Sequence, residues 1–231
     1  MPMADAPASQ TLSRGIRILE ILADAREPLM IDEVARRLDV HRSVAYRLLR
    51  TLEDHGLVAR DGSGRVELGS RLAALAAGVA HDLQAEALPE LTAAANDLAM
   101  TCFLTVLDRD ESVTLMSVEP RHAVASVAQR PGSRHPVAVG APGRAILAQL
   151  PPGQWPEGAD AAQIADAAAC GYAQSHDEVI PSLRSVAVPL ALRGRPPVAL
   201  AVVYLASAHA PEELAERLTQ AANGIREALG S

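Results

Sequence analysis

The sequence predicts an α+β protein in two parts: an N-terminal winged helix-turn-helix domain, then a linker helix and a C-terminal domain of helices and antiparallel strands. Three observations lead there. Residues 31–68, IDEVARRLDVHRSVAYRLLRTLEDHGLVARDGSGRVEL, pass from helical spacing to two short strand-like runs. From residue 84 onward, helical stretches and β-rich runs succeed one another in an order that suits helices lying on one face of an antiparallel sheet. The chain has 231 residues and is 49% hydrophobic, enough for two cores of modest size. Only 2% of it is aromatic, so those cores are built from Ala, Val, Leu and Ile.

Residues 1–10, MPMADAPASQ, are small and polar and are expected to be a disordered tail. Leu12, Ile16, Leu19 and Leu22 then form one face of a first helix, able to close a three-helix core. Ile31, Val34, Ala35 and Leu38 follow at i, i+3, i+4 and i+7, the stripe of a short second helix. Asp39-Val40-His41 interrupts the pattern. A third helix turns Val44, Ala45, Leu48 and Leu52 inward and Ser43, Tyr46, Arg47 and Arg50 outward. The runs 57–60 and 65–68 flank the tip Asp61-Gly62-Ser63-Gly64, a hairpin in which Gly62 and Gly64 can supply positive φ.

A helix with hydrogen-bonding and cationic groups along its outer face suits the major groove of DNA. The alternative is an ordinary solvated surface, where charged residues belong in any case. Charge favours the first reading. Residues 36–50 carry five Arg against one acid, Asp39. The whole chain has a net charge of −7, but residues 11–71 hold 11 Arg and 10 acids, so the acidic excess lies in the C-terminal part. The residues expected at DNA are Arg17, Arg42, Ser43, Tyr46, Arg47 and Arg50, with Arg60 and Arg65 on the wing.

Beyond the wing, Leu72, Leu75, Ala76 and Val79 make an apolar stripe that needs a partner surface, and residues 84–98 form another helix. Residues 101–107 and 112–118 read as a strand pair around the turn 108–111, and Val124–Ala128 as a third strand. Gly140-Ala141-Pro142-Gly143 opens a helix that Pro151-Pro152 ends, and a short helix is expected around 161–169. Residues 185–192 and 198–205 form a last hairpin, and 211–229 the closing helix. Cys102 and Cys170 are too few for a disulfide framework or a zinc cluster, and Cys102 suits a core position. The N-terminus lacks the pattern of a signal peptide and no stretch is long and apolar enough to span a bilayer, so a cytoplasmic protein without a membrane partner is expected.

An enzyme is the distant alternative. Ser175-His176-Asp177-Glu178 sets the triad residue types side by side, but a triad needs convergence from separate elements. There is no G-x-S-x-G elbow, P-loop or H-E-x-x-H, and the seven His show no metal-ligand spacing. Neither catalytic residues nor a cofactor nor a metal are expected.

Taken in order, SRGIRILEIL, VHRSVAYRLLRTLEDHGLV and LGSRLAALA in the N-terminal part, and PVAVGAPGRAILAQLP, GYAQSHDE and SVAVPL in the C-terminal part, resemble the IclR family of transcriptional regulators over nearly the whole chain. The resemblance implies a winged helix-turn-helix over 11–70, a linker helix over 71–83 and a GAF-like effector-binding domain over 84–231. It implies homodimers, often paired into homotetramers, on double-stranded operator DNA near metabolic genes, with repression as the expected mode. A ligand-independent regulator whose C-terminal domain serves only oligomerisation is the alternative. Two departures from the family pattern lie near the effector site. Only about twenty residues separate Pro151 from Gly171, where a longer helical insert is usual, and Pro181-Ser182 replaces a glycine turn.

The start of the helix opened by Gly140-Ala141-Pro142-Gly143 offers free N–H groups and the positive end of a helix dipole, an arrangement that suits an anion. An ordinary loop-to-helix junction is the alternative. The resemblance points to Gly140 and Ala141 as effector-lining, and further to His135, Ser175, Leu183, Ser185, Val202 and Tyr204. Phe103, the chain's one phenylalanine, has two readings, core packing and contact with the ligand. The expected effector is a small molecule, a carboxylate.

Overall fold

The computed structural model describes residues 9–25, 27–122, 127–205 and 209–230. The chain divides between Val79 and Ala80 into two compact units. Residues 1–8, most of the expected tail, lie outside the described residues. Ser9 already caps a helix, its hydroxyl accepting from the Leu12 N–H.

In the first unit, α1 (Gln10–Asp24) buries Gly15, Ile18, Ile21 and Leu22. Leu12 and Ile16, expected inside, stand 64% and 49% exposed. The helix is apolar around much of its girth, so spacing alone cannot choose the inner face; contact with the next two helices does. In α2 (Ile31–Leu38) Ile31, Val34 and Ala35 are buried, and Asp39 ends the helix in the left-handed region. Helix α3 (Arg42–Asp54) buries Ala45, Leu48 and Leu49, while Val44 and Leu52 are half-buried. Leu49, absent from the expected face, is fully buried. Strands β1 (Val58–Arg60) and β2 (Val66–Leu68) pair antiparallel, and Leu29 exchanges two backbone hydrogen bonds with Val66. The Asp61 carboxylate closes the tip by accepting from Ser63 N, Ser63 Oγ and Arg65 N, which holds its pKa below the usual range. Of the two tip glycines, only Gly64 takes positive φ.

The expected linker helix 71–83 is broken. Helix α4 (Arg71–Ala76) ends, turns follow, and Ala80 at φ 45° precedes α5 (His81–Leu98). The break falls in a run of small residues around Gly78, and Leu83, 2% exposed, ties the first turn of α5 to the core of the second unit.

That unit is built on a six-stranded antiparallel sheet in the order β5-β4-β3-β8-β7-β6. The strands are β3 (Thr101–Asp108), β4 (Glu111–Val118), β5 (Arg134–Pro136), β6 (Ala173–His176), β7 (Arg184–Leu190) and β8 (Val198–Tyr204). Helices lie on both faces, not on one as the sequence suggested. Helix α5 and α8 (Pro211–Ala228) cover one face, packing on Cys102, Leu104, Val202 and Tyr204. Helices α6 (Gly140–Leu147) and α7 (Ala161–Cys170) cover the other, on Phe103, Ala187, Ala201 and Val203. A strand buried on both sides loses the apolar–polar alternation that would reveal its faces. Every residue of β8 is buried. Short β5 and β6 were not anticipated; both are edge strands, and β5 carries Pro136 at an edge where a missing donor is tolerated. Of the proposed strand at 124–128, residues 124–126 lie outside the described residues and 127–128 are not in a strand. Cys102 is fully buried, and burial pushes its thiol up to about 12.

Candidate functional site

The outer face of α3 presents Arg42, Ser43, Tyr46, Arg47 and Arg50, all exposed. His41, which the sequence reading left out of the site, caps this helix. Its Nδ1 accepts from the Ser43 N–H at 3.3 Å and lies 2.8 Å from Ser43 Oγ. A histidine immediately before a helix was the available signal. Most of the other arginines already hold partners. Arg42 meets Asp32 at 3.1 Å, Arg17 meets Glu20 at 2.9 Å, and Arg60 meets Glu53 at 3.0 Å. Arg65 donates to the Pro28 carbonyl at 3.3 Å. Arg36 and Arg37 share Glu33, and their hydrogen bonds hold its carboxyl down at about 2. Among the described residues, no ion pair is formed by Arg47 or Arg50. The +4 balance over 36–50 is therefore concentrated: acids just outside that window neutralise half of it, and two free guanidinium groups remain on the helix fit for a groove. Such exposed pairs contribute only about 0–1 kcal/mol each, so phosphate can compete for the paired arginines as well.

In the second unit a cavity opens between the α6 face of the sheet and the segment 178–183, with a volume of ≈ 570 Å³ including its open mouth. Five of the nine residues expected around an effector line it: Phe103, His135, Ser175, Leu183 and Ser185. Phe103 is at once a core residue and a wall, 4% exposed. Val202 and Tyr204 are corrected: both face the opposite side of the sheet, packed with α5 and α8. Their neighbour Val203 lines the cavity instead. Successive strand residues point to opposite faces, so an error of one position exchanges wall for core. Gly140 and Ala141 are buried and stand behind the wall, which Pro142 and Gly143 line in their place.

The floor is rich in hydroxyls, which the sequence reading did not foresee. A β-bulge between Leu104 and Thr105 leaves Leu115 without a partner on β3 and reverses the alternation of β4. Thr114 and Ser112 thereby join Thr105 on the cavity side. Gln129 donates to Thr114 Oγ1 at 2.8 Å, and Ser185 Oγ donates to the Val202 carbonyl at 2.9 Å. Thr105 is 2% exposed, and its hydroxyl has no hydrogen-bond partner among the described residues. His135 is half-buried, and desolvation lowers its pKa against a weaker opposing pull from Glu111, which favours a neutral ring.

The start of α6 is not open to an external anion. The Gly140 N–H donates to Glu178 Oε2 at 3.1 Å, and the buried Arg144 guanidinium meets the same oxygen. Gly143 serves close packing: a Cβ there would lie 2.0 Å from the Val137 carbonyl oxygen. His176 Nε2 lies 3.4 Å from Asp177 Oδ2 with both side chains more than half exposed, a surface contact and not a catalytic arrangement. Among the described residues, no helix is long and apolar enough to cross a membrane.

The profile of the IclR helix-turn-helix domain matches residues 11–62. The chain is 33% identical over 144 residues to the HTH-type transcriptional regulator Rv1719 of Mycobacterium tuberculosis, covering 62% of this chain and 55% of the relative. It thus spans about half the length of that relative. To the HTH-type transcriptional regulator XynR of Escherichia coli it is 27% identical over 249 residues, covering 97% and 98%. Among solved structures it is similar to an IclR-type regulator from Alicyclobacillus acidocaldarius (TM-score 0.83, 27% identity, 96% of this chain and 99% of that one). It is similar also to an IclR homologue from Microbacterium hydrocarbonoxydans complexed with 4-hydroxybenzoate (TM-score 0.82, 27% identity, 96% and 99%). These relatives are regulators and not enzymes, and the likeness to the solved structures runs through both units. The chain thus carries an IclR-type helix-turn-helix domain over residues 11–62 and is similar over both units to regulators of the IclR family.

Proposed function

We propose that this chain is a transcriptional regulator that binds a pseudo-palindromic operator as a dimer, represses metabolic genes and responds to a small organic acid. The observation that carries the reading is the outer face of α3, where Tyr46, Arg47 and Arg50 stand exposed and both arginines form no ion pair among the described residues. A bidentate guanidinium on guanine is the commonest base-specific contact in the major groove. Arg60 and Arg65 flank the wing tip at positions suited to phosphate, which positions a protein without reading sequence. One winged domain has few base-reading groups, and pairing doubles them. The exposed Leu75 and Val79 supply apolar surface for a second copy, either as a dimer or as dimers joined into a tetramer.

The cavity supports the sensing half of the reading. It is enclosed by apolar walls with several hydroxyls, the usual make-up of a small-molecule site. The 4-hydroxybenzoate held by the Microbacterium relative supports an organic acid as the ligand class. Such a ligand alters operator affinity only if it binds one arrangement of the dimer more tightly than another. The test combines a mobility-shift titration against DNA flanking the chain's own gene with thermal melting in a panel of organic acids. Saturable stabilisation by one acid, and release or capture of DNA by the same acid, is expected. Specific DNA binding that no acid alters, with no stabilisation, would favour a ligand-independent regulator; no specific DNA binding at all would defeat the whole reading.

A further inference from the structure

Beside the cavity, behind the part of its wall formed by Glu178, the position best suited to a carboxylate is filled by that side chain itself. Glu178 Oε2 accepts from the Gly140 N–H at 3.1 Å and meets a terminal nitrogen of Arg144. Arg144 is only 6% exposed, and its other terminal nitrogen donates to the Gln174 carbonyl at 2.7 Å. Glu178 itself is less enclosed, with 31% of its side chain exposed. It belongs to a strap, residues 177–183, that passes over the cavity and contributes Val179, Ile180 and Leu183 to its wall. Positive φ values mark both ends of the strap, 62° at Asp177 and 68° at Ser182. The Asp177 N–H donates to the Leu183 carbonyl at 3.0 Å and closes its base. Val179 and Ile180 remain 39% and 44% exposed, so apolar burial holds the strap only weakly. The pair with buried Arg144 is its principal anchor, because a buried cation without its carboxylate is costly.

We infer that Glu178 is a built-in competitor for the ligand: it latches the strap over the cavity, and a carboxylate ligand opens it by replacing Glu178 on Arg144 and the Gly140 N–H. This rests on the organic-acid reading above and adds the means by which the site is regulated. A second mark of a ligand site in the same cavity is independent of the latch, namely the buried Thr105 hydroxyl, which has no hydrogen-bond partner among the described residues. The tethered carboxylate sets the affinity threshold. A strap latched in about 99 of 100 molecules raises the apparent dissociation constant about 100-fold. Weak environmental acids are thereby excluded, and only a ligand that also gains from the hydroxyl floor and the apolar walls displaces the latch.

Chemical rescue tests the inference on the full-length chain without knowledge of the natural ligand. Glu178→Ala leaves Arg144 unpaired and is expected to melt at a lower temperature than wild type. Sodium acetate at about 50 mM, above the millimolar effective concentration of a tethered group, should recover most of that loss and leave wild type unchanged. Neither acetamide nor sodium chloride at equal ionic strength should do so. Acetate that stabilises the variant no more than chloride, or no more than it stabilises wild type, overturns the inference. Glu178→Gln keeps the shape of the side chain and decides the matter if the Ala variant does not fold. It should bind benzoate at least about tenfold more tightly than wild type in calorimetry, and binding no tighter than wild type overturns the latch. If the latch fails in this way while an organic acid still shifts operator binding of wild type, the regulator reading stands and only the competition is wrong.

Discussion

Arg47 and Arg50 provide the sharpest test of the DNA-binding face, because the structure sets them apart from the other arginines near it. Replacing Arg47 by alanine removes a guanidinium that, among the described residues, has no ion pair to release. If it holds a guanine, the loss is about 1–3 kcal/mol, or about 5- to 150-fold in Kd at 25 °C. Arg42 differs, since its pair with Asp32 at 3.1 Å must be surrendered before DNA is bound. That pair is exposed and is worth about 0.2–1 kcal/mol, so Arg42→Ala should cost correspondingly less than Arg47→Ala. Because all three side chains are exposed, stability should change by no more than about 0.5 kcal/mol. Fluorescence anisotropy with operator and scrambled duplexes, at one fixed salt concentration, separates the contributions. A base-reading arginine loses affinity for operator and keeps it for scrambled DNA. Wild-type affinity in both Arg47→Ala and Arg50→Ala would refute the assignment of α3 as the reading helix. A larger loss for Arg42 than for Arg47 would refute the argument from ion pairing.

Neutralising Arg60 or Arg65 on the wing should weaken operator and scrambled DNA alike and make the log–log salt dependence shallower by about one unit; a loss confined to one base position would mean direct readout instead. On β8, Val202→Ser buries a hydroxyl in the packed α5–α8 face and should cost about 1–3 kcal/mol, lowering Tm by about 2–4 °C per kcal/mol. Val203→Ser should alter ligand affinity with a smaller loss of Tm, and the opposite ranking would mean the two faces are exchanged. Burial disfavours the charged form of His135, so the folded chain binds its proton less readily than the unfolded chain. Stability from this group is therefore full above the ordinary histidine pKa and declines as pH falls through it. Melting between pH 8 and 5.5 should show a steeper decline in wild type than in His135→Asn, and parallel curves would contradict the assigned cause.

The DNA-binding unit could be read from the sequence because its determinants are local. The stripe Ile31, Val34, Ala35 specifies α2, the Gly-rich tip specifies the wing, and the outward face of α3 follows once its inner face is known. Helical periodicity did not settle α1, where Leu12 and Ile16 satisfy the same spacing as the buried Ile18 and Leu22. Whether an arginine is free was equally out of reach, since the partners of Arg42 and Arg60, Asp32 and Glu53, lie ten and seven residues away and meet them only through the fold.

In the second unit the sequence by itself determined the elements that have strong local signals: the helix after Gly140, the β3–β4 and β7–β8 strand pairs and the closing helix. Tertiary structure alone decided which side of each strand meets the cavity. Strand β8 is buried on both faces and shows no alternation, so nothing local distinguishes Val202 from Val203. The bulge at Leu115 reverses the faces of β4 through pairing with another strand, and Thr114 and Ser112 reach the cavity only because of it. The start of α6 has the local form of an anion site, but its occupant comes from 38 residues downstream. A helix terminus specifies where a negative charge is favourable; which carboxylate arrives there depends on a long-range contact that no local pattern encodes.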